Sequence, residues 1–184
     1  MDMKIVRNYV PFNDQEEKDK EQMLLAYDLL QDALFQRHPL AHFTSSALVI
    51  NKERTKVLLQ YHKIYHAWVW SGGHNDGDSD FLQVAIRETL EECGVEATPV
   101  SEYPLSLDTL WVGNHYKRGE YISPHLHFNL SYLLECDESQ TLHIKEDEIS
   151  GLKWIPLTSI KEEVEDKIYP CFVKMLERIG IKHD

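Results

Sequence analysis

The stretch GHNDGDSDFLQVAIRETLEECGV, residues 73–95, decides how this chain is interpreted. Apolar residues recur in its second half at helical spacing and a glycine follows them, which predicts a helix that begins near residue 80 and stops at that glycine. Glu88, Glu91 and Glu92 are spaced i, i+3 and i+4, so their carboxylates project to one side of this helix. Three like charges this close repel each other unless a cation compensates them, and Mg²⁺ prefers carboxylate oxygens. The stretch therefore indicates metal-assisted chemistry, with phosphates as the expected substrates.

The composition is that of a single globular domain with a sizeable core. The chain has 184 residues, of which 42% are hydrophobic and 27% are charged. Its formal net charge of −12 argues against a protein that follows nucleic-acid backbones, because such binding depends on clustered Lys and Arg. A small phosphorylated substrate stays compatible with this charge, since a bound cation changes the local field.

The cysteines and the N-terminus bear on the cellular compartment. Cys93, Cys136 and Cys171 are far apart and form no CxxC motif, so neither a disulfide framework nor a structural zinc site is indicated. The first 12 residues contain no apolar signal region, and no apolar run has the length of a membrane span. These features predict a cytoplasmic protein without a membrane partner.

The order of predicted elements favours an α/β layered sandwich, because strands are interrupted by a helix and helices lie at both ends. An amphipathic helix is predicted over residues 13–37, and we expect it to pack on the domain, with a dimer contact or a substrate lid as alternatives. The remaining predicted elements are strands at 43–51, 56–62, 68–70, 95–107, 125–136 and 151–155, and helices at 157–163 and 166–179.

In this context the opening stretch resembles the Nudix box, G-x5-E-x7-R-E-U-x-E-E-x-G-U, where U is a bulky aliphatic residue. The positions that match it are Gly73, Arg87, Glu88, Glu91, Glu92, Gly94 and Val95. The resemblance extends over about residues 42–165 and implies a Nudix-type α/β/α sandwich with a mixed β-sheet. It divides the chain into an N-terminal helical extension, residues 1–41, and a Nudix hydrolase domain, residues 42–184.

Two positions depart from the box. Ser79 stands where the family has its first glutamate, a residue that supports the helix by pairing with the arginine, here Arg87. Asp78 and Asp80 flank the gap, and either is a candidate substitute. Thr89 replaces the bulky aliphatic residue. The carboxylates expected to bind metal are intact, whereas the loop that supports them is expected to be atypical.

The resemblance implies hydrolysis of the pyrophosphate bond in a nucleoside diphosphate linked to another moiety. It assigns Mg²⁺ as the cofactor, with Mn²⁺ as an alternative, and implies a small-molecule nucleotide derivative as the binding partner, with a homodimer as an open option. The implied metal ligands are Glu88, Glu91, Glu92 and the main-chain oxygen of Gly73. The implied catalytic residues are Glu88, Glu91 and Glu148, where the general base is Glu88 on the helix or Glu148 on a later loop, with Glu146 behind it.

Several other side chains are candidates for substrate binding. Aromatic residues near residues 111–121 could stack on a base, and neighbouring cations could hold phosphate. The predicted substrate-binding residues are Arg87, His74, His127, Lys117, Arg118 and Tyr121. His125 and His127 would share one face of a strand, a spacing that also suits zinc. We expect structural histidines there instead, since no third soft ligand stands nearby in the sequence.

Two other functions compete with hydrolysis. Isopentenyl-diphosphate isomerase shares the fold, but it relies on a cysteine near the turn that is here Trp70-Ser71-Gly72-Gly73-His74, which contains none. A non-catalytic Nudix module that senses nucleotides would usually lose box carboxylates, and all three are present. Ser79 is the feature that favours this second alternative.

Overall fold

The structure, a computed structural model, describes residues 3–64, 66–117, 119–145 and 149–181. The described helices are α1 (Lys4–Asn8), α2 (Asp14–Leu30), α3 (Phe81–Cys93), α4 (Ile160–Glu163) and α5 (Tyr169–Arg178), with 3-10 turns at Gln31–Phe35 and Leu157–Ser159. The described strands are β1 (Ala41–Asn51), β2 (Lys56–His62), β3 (Ala67–Val69), β4 (Ser71–His74), β5 (Thr98–Pro99), β6 (Ser106–Val112), β7 (His115–Lys117), β8 (Glu120–Ile122), β9 (His125–Cys136) and β10 (Ile149–Pro156).

One mixed sheet organises the domain. Its strand order is β10-β2-β1-β9-β5, and β3, β4 and β6 pair with β2, β1 and β9 respectively. Strands β1 and β9 are parallel, while the other described pairs in this sheet are antiparallel. Helix α3 packs on β4 and β1. Helix α5 packs against the opposite side of β1, in a separate cluster of buried apolar residues that includes Leu48 and Ile50. The predicted α/β class with a mixed sheet and an N-terminal helix is therefore confirmed.

Strand β1 is buried on both faces, which explains its nearly continuous apolar run. Ala47 and Val49 point into the core cluster that α2 and α3 cover. Leu48 and Ile50 point into the cluster that α5 covers. The strand that carries His42 is thus held from both sides.

The N-terminal helices share this core. Asn13 caps α2 by accepting a hydrogen bond from the Glu16 amide at 3.0 Å. Met3, Val6 and Met23 are almost fully buried in the same cluster as residues of β1 and α3. Helix α2 ends at Leu30 rather than at residue 37. The division of the chain at residues 41 and 42 stays a prediction.

A buried ionic cluster joins α2, β6 and α5. Lys174 is 5% exposed, and its Nζ lies 2.7 Å from Asp108 and 3.1 Å from Glu16. Arg178 also contacts Glu16, at 3.1 Å. Because both carboxylates are buried, these cations compensate charges that would otherwise be expensive in the interior.

Two predicted segments differ from the structure. The strand expected over residues 95–107 is wrong in extent, because only Thr98–Pro99 and the first residues of β6 pair in that span. Pro99 and Pro104 supply no N–H for a ladder, which fits the interruption. The sequence predicted no strand over residues 111–121, but this span contains the end of β6 and a hairpin of β7 and β8. Among the described residues, no helix is long and apolar enough to cross a membrane.

Candidate functional site

The candidate site begins where β4 ends, in the turn that leads into α3. Asn75 is 1% exposed and holds this turn, since it accepts from the Ser45 hydroxyl at 3.0 Å and donates to the main-chain oxygen of Asp78 at 2.9 Å. Asp80 caps α3 by accepting from the Gln83 amide at 3.1 Å. At the other end Gly94 adopts φ 72, the left-handed conformation that favours glycine and stops a helix.

Glu92 lies on the inner face of α3. It is 1% exposed, and its Oε2 accepts hydrogen bonds from the Gly72 amide and the Gln60 side chain, both at 2.9 Å. We expected the three carboxylates to project to one side of α3, but Glu92 is enclosed by Gly72 of β4 and Gln60 of β2. Sequence reasoning missed Gln60, whose role depends on the pairing of β2 with the rest of the sheet.

Glu88 contacts the main chain of Gly73. Its side chain is only 13% exposed, and a Cβ atom at position 73 would collide with its carboxylate. A side chain at this position would therefore have to displace the Glu88 carboxylate, whereas no left-handed conformation is involved. The structure thus brings two of the predicted metal ligands into direct contact.

Arg87 lies among three carboxylates. Its guanidinium is 3.4 Å from Asp78, 3.7 Å from Glu88 and 3.9 Å from Glu91. Glu91 also contacts Lys145 at 3.4 Å, and its side chain is 46% exposed. Arg87 therefore orients the carboxylates through ionic contacts, while its predicted contact with substrate stays a prediction.

Thr89 does more than replace an aliphatic side chain. It is fully buried, its hydroxyl donates to the main-chain oxygen of Ala85 at 2.9 Å, and the Ser71 hydroxyl lies 2.9 Å away. A hydrogen bond between Ser71 on β4 and Thr89 on α3 therefore fixes the glycine-bearing strand to the helix that carries the carboxylates.

Histidines from three strands gather beside this carboxylate group. The His74 ring lies 4.9 Å from that of His42 and 5.1 Å from that of His127, while His125 stacks on His42 at 4.9 Å. Burial lowers the pKa of His74 to about 3 and that of His127 to about 2, and neighbouring positive groups and imidazoles add to both shifts.

No third soft ligand stands near His125 and His127 in the sequence, but the structure places the His42 ring close to both. His42 precedes them by more than 80 residues, and the parallel register places it opposite His127. Only the pairing of β1 with β9 could have identified it from sequence.

Two of the remaining predicted substrate-binding residues, Lys117 and Tyr121, lie on the hairpin of β7 and β8. Tyr116 and Tyr121 pack edge to face at 5.5 Å and are both exposed, and Lys117 ends the first strand of the hairpin. The hairpin adjoins the histidines through His115, whose ring is 6.1 Å from that of His125. Arg118, Glu146 and Glu148 lie outside the described residues.

The donor set of the carboxylate group fits a hard cation. Glu88, Glu91 and Glu92 offer carboxylate oxygens, and Gly73, which lies against the Glu88 carboxylate, offers a main-chain oxygen. Oxygen-only donors of this kind suit Mg²⁺ or Mn²⁺, whereas thiolate or imidazole donors would favour softer ions. The assignment of these four residues as ligands of such an ion stays a prediction.

Comparisons with known proteins identify the fold. The family profile described as NUDIX domain matches residues 41–176. A Nudix-family hydrolase from Clostridium perfringens superposes with a TM-score of 0.57 at 21% identity, covering 75% of this chain and 97% of that one. An Ap4A hydrolase from C. elegans gives 0.56 at 19% identity with the same coverage.

The NUDIX domain of Shewanella oneidensis NrtR, in complex with ADP ribose, gives a TM-score of 0.53 at 20% identity, covering 84% of this chain and 97% of that one. A comparison with curated protein sequences found no match. At these identities the solved structures show the fold alone.

Proposed function

The chain belongs to the NUDIX family, and we propose that it is a Mg²⁺-dependent hydrolase of the pyrophosphate bond in a nucleoside diphosphate linked to another moiety. The observation that carries this proposal is the contact between the Glu88 carboxylate and the main chain of Gly73. This contact joins the glycine of the box to its helix. The family typically cleaves such bonds, and the oxygen-rich donor set supports the same chemistry.

Four groups would hold the ion. The Gly73 carbonyl would contribute from β4, whereas Glu88, Glu91 and Glu92 would contribute from α3, with Glu91 on its exposed side and Glu92 on its buried side. One Glu92 oxygen is fixed by Gly72 and Gln60, which orients the carboxylate before any ion arrives. When bound, Mg²⁺ would neutralise phosphate oxygens and make the phosphorus easier to attack.

The general base takes a proton from the attacking water, and two carboxylates compete for this role. Glu88 is largely shielded from solvent beside Gly73, so it is positioned at the site itself. Glu148 lies outside the described residues, yet Lys145, three residues before it, reaches Glu91 at 3.4 Å. We therefore propose Glu88 or Glu148 as the general base, with Glu146 as the next candidate.

Two of the similar solved structures guide the choice of substrates to test. One neighbour is an Ap4A hydrolase and another binds ADP ribose. We therefore place dinucleoside polyphosphates and ADP-ribose first in a substrate panel that also contains NADH, nucleotide sugars and NTPs. The proposed binding residues His74, His127, Lys117, Arg118 and Tyr121 would contact the nucleotide or its phosphates.

The test is phosphate or nucleotide release from this panel with Mg²⁺ or Mn²⁺. Glu88→Gln should lower the rate of release by about 10²-fold or more, whereas Glu96→Gln, the same change at an exposed glutamate just after the box, should leave it unchanged. If no compound is cleaved, the hydrolase proposal fails. Binding of a panel compound without cleavage, measured by calorimetry, would instead favour a nucleotide-sensing module.

The isomerase alternative is not supported by the thiols near the site. Cys93 is the nearest cysteine in sequence, but it is 2% exposed, and burial beside Glu92 raises its pKa far above the usual range. A thiol in this state is not an available nucleophile.

A further inference from the structure

Three histidines from two strands converge at the end of the sheet beside the carboxylate group. His42 lies on β1, His125 and His127 lie on β9, and their potential ligand nitrogens all lie within 4.8 Å of one another. Parallel pairing sets His42 opposite His127, and His125 follows on the same strand face at a spacing of two. His42 and His125 are only 4% and 8% exposed.

Main-chain carbonyls fix the protonation pattern of two of these rings. His42 Nδ1 lies 3.0 Å from the oxygen of His38, and His125 Nδ1 lies 2.8 Å from the oxygen of Ser123. A carbonyl only accepts, so Nδ1 carries the proton in each ring and the Nε2 of a neutral ring presents its lone pair. Histidines that bind metals are oriented in this way, by a hydrogen bond from the nitrogen that does not bind.

In the part of the chain that the structure describes, one of the inward-facing nitrogens has no hydrogen-bond partner, and the other two are hydrogen-bonded only to each other. His42 Nε2 is buried and has no hydrogen-bond partner among the described residues. Burial of such an acceptor without a partner is unfavourable, which makes an unsatisfied nitrogen informative. His125 Nε2 and His127 Nε2 are 3.2 Å apart, close to the separation of about 3.3 Å between two nitrogens on a tetrahedral zinc ion.

We propose that His42, His125 and His127 form a second metal site, which takes a divalent transition-metal ion of the Zn²⁺ class. Three imidazoles select zinc-like ions over Mg²⁺, which prefers oxygen ligands. Three protein ligands also leave a fourth position for water or an anion. The site is distinct from the proposed hydrolytic centre, whose donors are all oxygens.

Binding requires one rearrangement within His127. Because His125 Nε2 is an acceptor, the 3.2 Å contact without metal has His127 Nε2 as the donor. A metal would need that nitrogen free, so the His127 proton moves to Nδ1, and the ring stays neutral throughout. The ligand nitrogens of the three histidines, which now lie up to 4.8 Å apart, must also move closer together, and rotation of the side chains would achieve this.

The guanidinium near the three histidines is paired with a carboxylate. Arg37 is the nearby guanidinium that disfavours protonation of His42 and His74. It is itself held by Asp76 through two contacts of 2.7 Å. This paired carboxylate offsets the positive charge that would otherwise repel an incoming ion.

The test is titration of the chelator-treated full chain with Zn²⁺ by calorimetry, together with Co²⁺ absorption as a reporter of coordination geometry. We expect one equivalent of tight binding and a tetrahedral Co²⁺ spectrum. Loss of a group that only hydrogen-bonds a metal ligand costs about 10–100-fold in metal affinity. His42→Ala and His127→Ala each remove a ligand, so each should lower the affinity for Zn²⁺ by at least about 100-fold. Zn²⁺ should also raise the thermal midpoint of the wild type and not that of His42→Ala.

Two variants separate this site from other sources of binding. His66→Asn removes an exposed histidine from the turn between β2 and β3, where Asn tolerates the φ of 53°, and it should bind Zn²⁺ like the wild type. Glu88→Gln should also retain binding, so failure of the hydrolase proposal does not affect this result. If His42→Ala does not fold, as judged by circular dichroism, His125→Gln takes its place.

Three outcomes would overturn the proposal. These are the absence of stoichiometric binding, wild-type affinity in the histidine variants, and loss of the Zn²⁺ equivalent in Glu88→Gln. The last would place the ion at the carboxylates instead.

Discussion

Arg87 Nη1 lies 3.4 Å from Asp78 Oδ2, so an aspartate one position earlier supports the arginine that the missing glutamate would hold. Ser79 occupies the glutamate position, and Asp80, the other candidate, caps α3 instead. The two aspartates that flank the gap therefore have different roles, which the sequence had left open.

Asp78→Asn should lower kcat by roughly 10-fold, because a loosened Arg87 lets the carboxylates drift from their working positions. Stability should change by less than about 1 kcal/mol, since the ion pair is 41% exposed on both sides. Steady-state kinetics and urea unfolding measure the two effects. Asp80→Asn is the matched control, because it removes the same charge but Asn still caps the helix. Equal losses in both variants would contradict a specific role for Asp78.

The same relationship predicts a rescue. Adding Ser79→Glu to Asp78→Asn restores a carboxylate at the family position and should recover most of the lost rate. If the double variant is no faster than Asp78→Asn, Arg87 is not the route by which Asp78 acts.

The parts of the fold that were predictable are those with local signals. Strands at 56–62 and 125–136 have their predicted bounds, because β-branched and alternating residues sit between turn residues. Helix α3 begins and ends as expected, since Asp80 and Gly94 are cap residues in sequence as well as in space.

The parts that were not predictable depend on contacts between distant segments. His42 meets His127 only because β1 and β9 run parallel, and no local pattern encodes that pairing. Glu92 is buried because Gln60 from β2 reaches it, although helical spacing alone groups it with Glu88. Sequence thus identified the carboxylates but not which of them the fold encloses.

Glu92→Gln should reduce activity by about 10²-fold or more, because the variant loses a charge that the proposed ion requires. The fold should survive, since the Gln carbonyl can still accept from Gly72, although weaker bonds to a neutral group cost about 1 kcal/mol. Turnover and the thermal midpoint are the measurements, with Glu96→Gln as the control. Unchanged activity in Glu92→Gln would rule out its proposed metal role.

The general base is identified by comparing Glu88→Gln with Glu148→Gln across pH. The variant that lacks the base should lose about 10²-fold in kcat and lose the acidic limb of the pH–rate profile. Glu146→Gln serves as the neighbouring control for Glu148. A full acidic limb in both variants would mean that neither glutamate is the base.

Lys174→Met should destabilise the protein by about 3–5 kcal/mol, because it leaves the buried Asp108 without its cation and Glu16 with Arg178 alone. Urea unfolding gives the free energy of unfolding. Lys167→Met, at a side chain that is 77% exposed, should change it by less than about 1 kcal/mol. A change of less than about 1 kcal/mol in Lys174→Met would contradict the proposed role of Lys174 in compensating the buried carboxylates.

The thiols should react slowly in the folded protein. Burial raises the pKa of Cys136 to about 11, and burial beside Asp108 raises that of Cys171 to about 12. Only a thiolate attacks a disulfide reagent, and at pH 8 a pKa of 11 leaves about 0.1% thiolate, against roughly 20% for a free cysteine. Native thiols should therefore react about 100-fold more slowly than those in guanidinium.

The same shifts set the direction of the pH dependence of stability. The folded chain keeps thiol protons that the unfolded chain releases above about pH 8.5, so the free energy of unfolding falls as pH rises from there through the folded pKa values. Below that pH this contribution is fully present. Unfolding in urea at pH 7 and pH 10, for the wild type and Cys136→Ala, measures it: the decline should be smaller in the variant. A fast-reacting thiol equivalent in the native protein would contradict the raised pKa values of these cysteines.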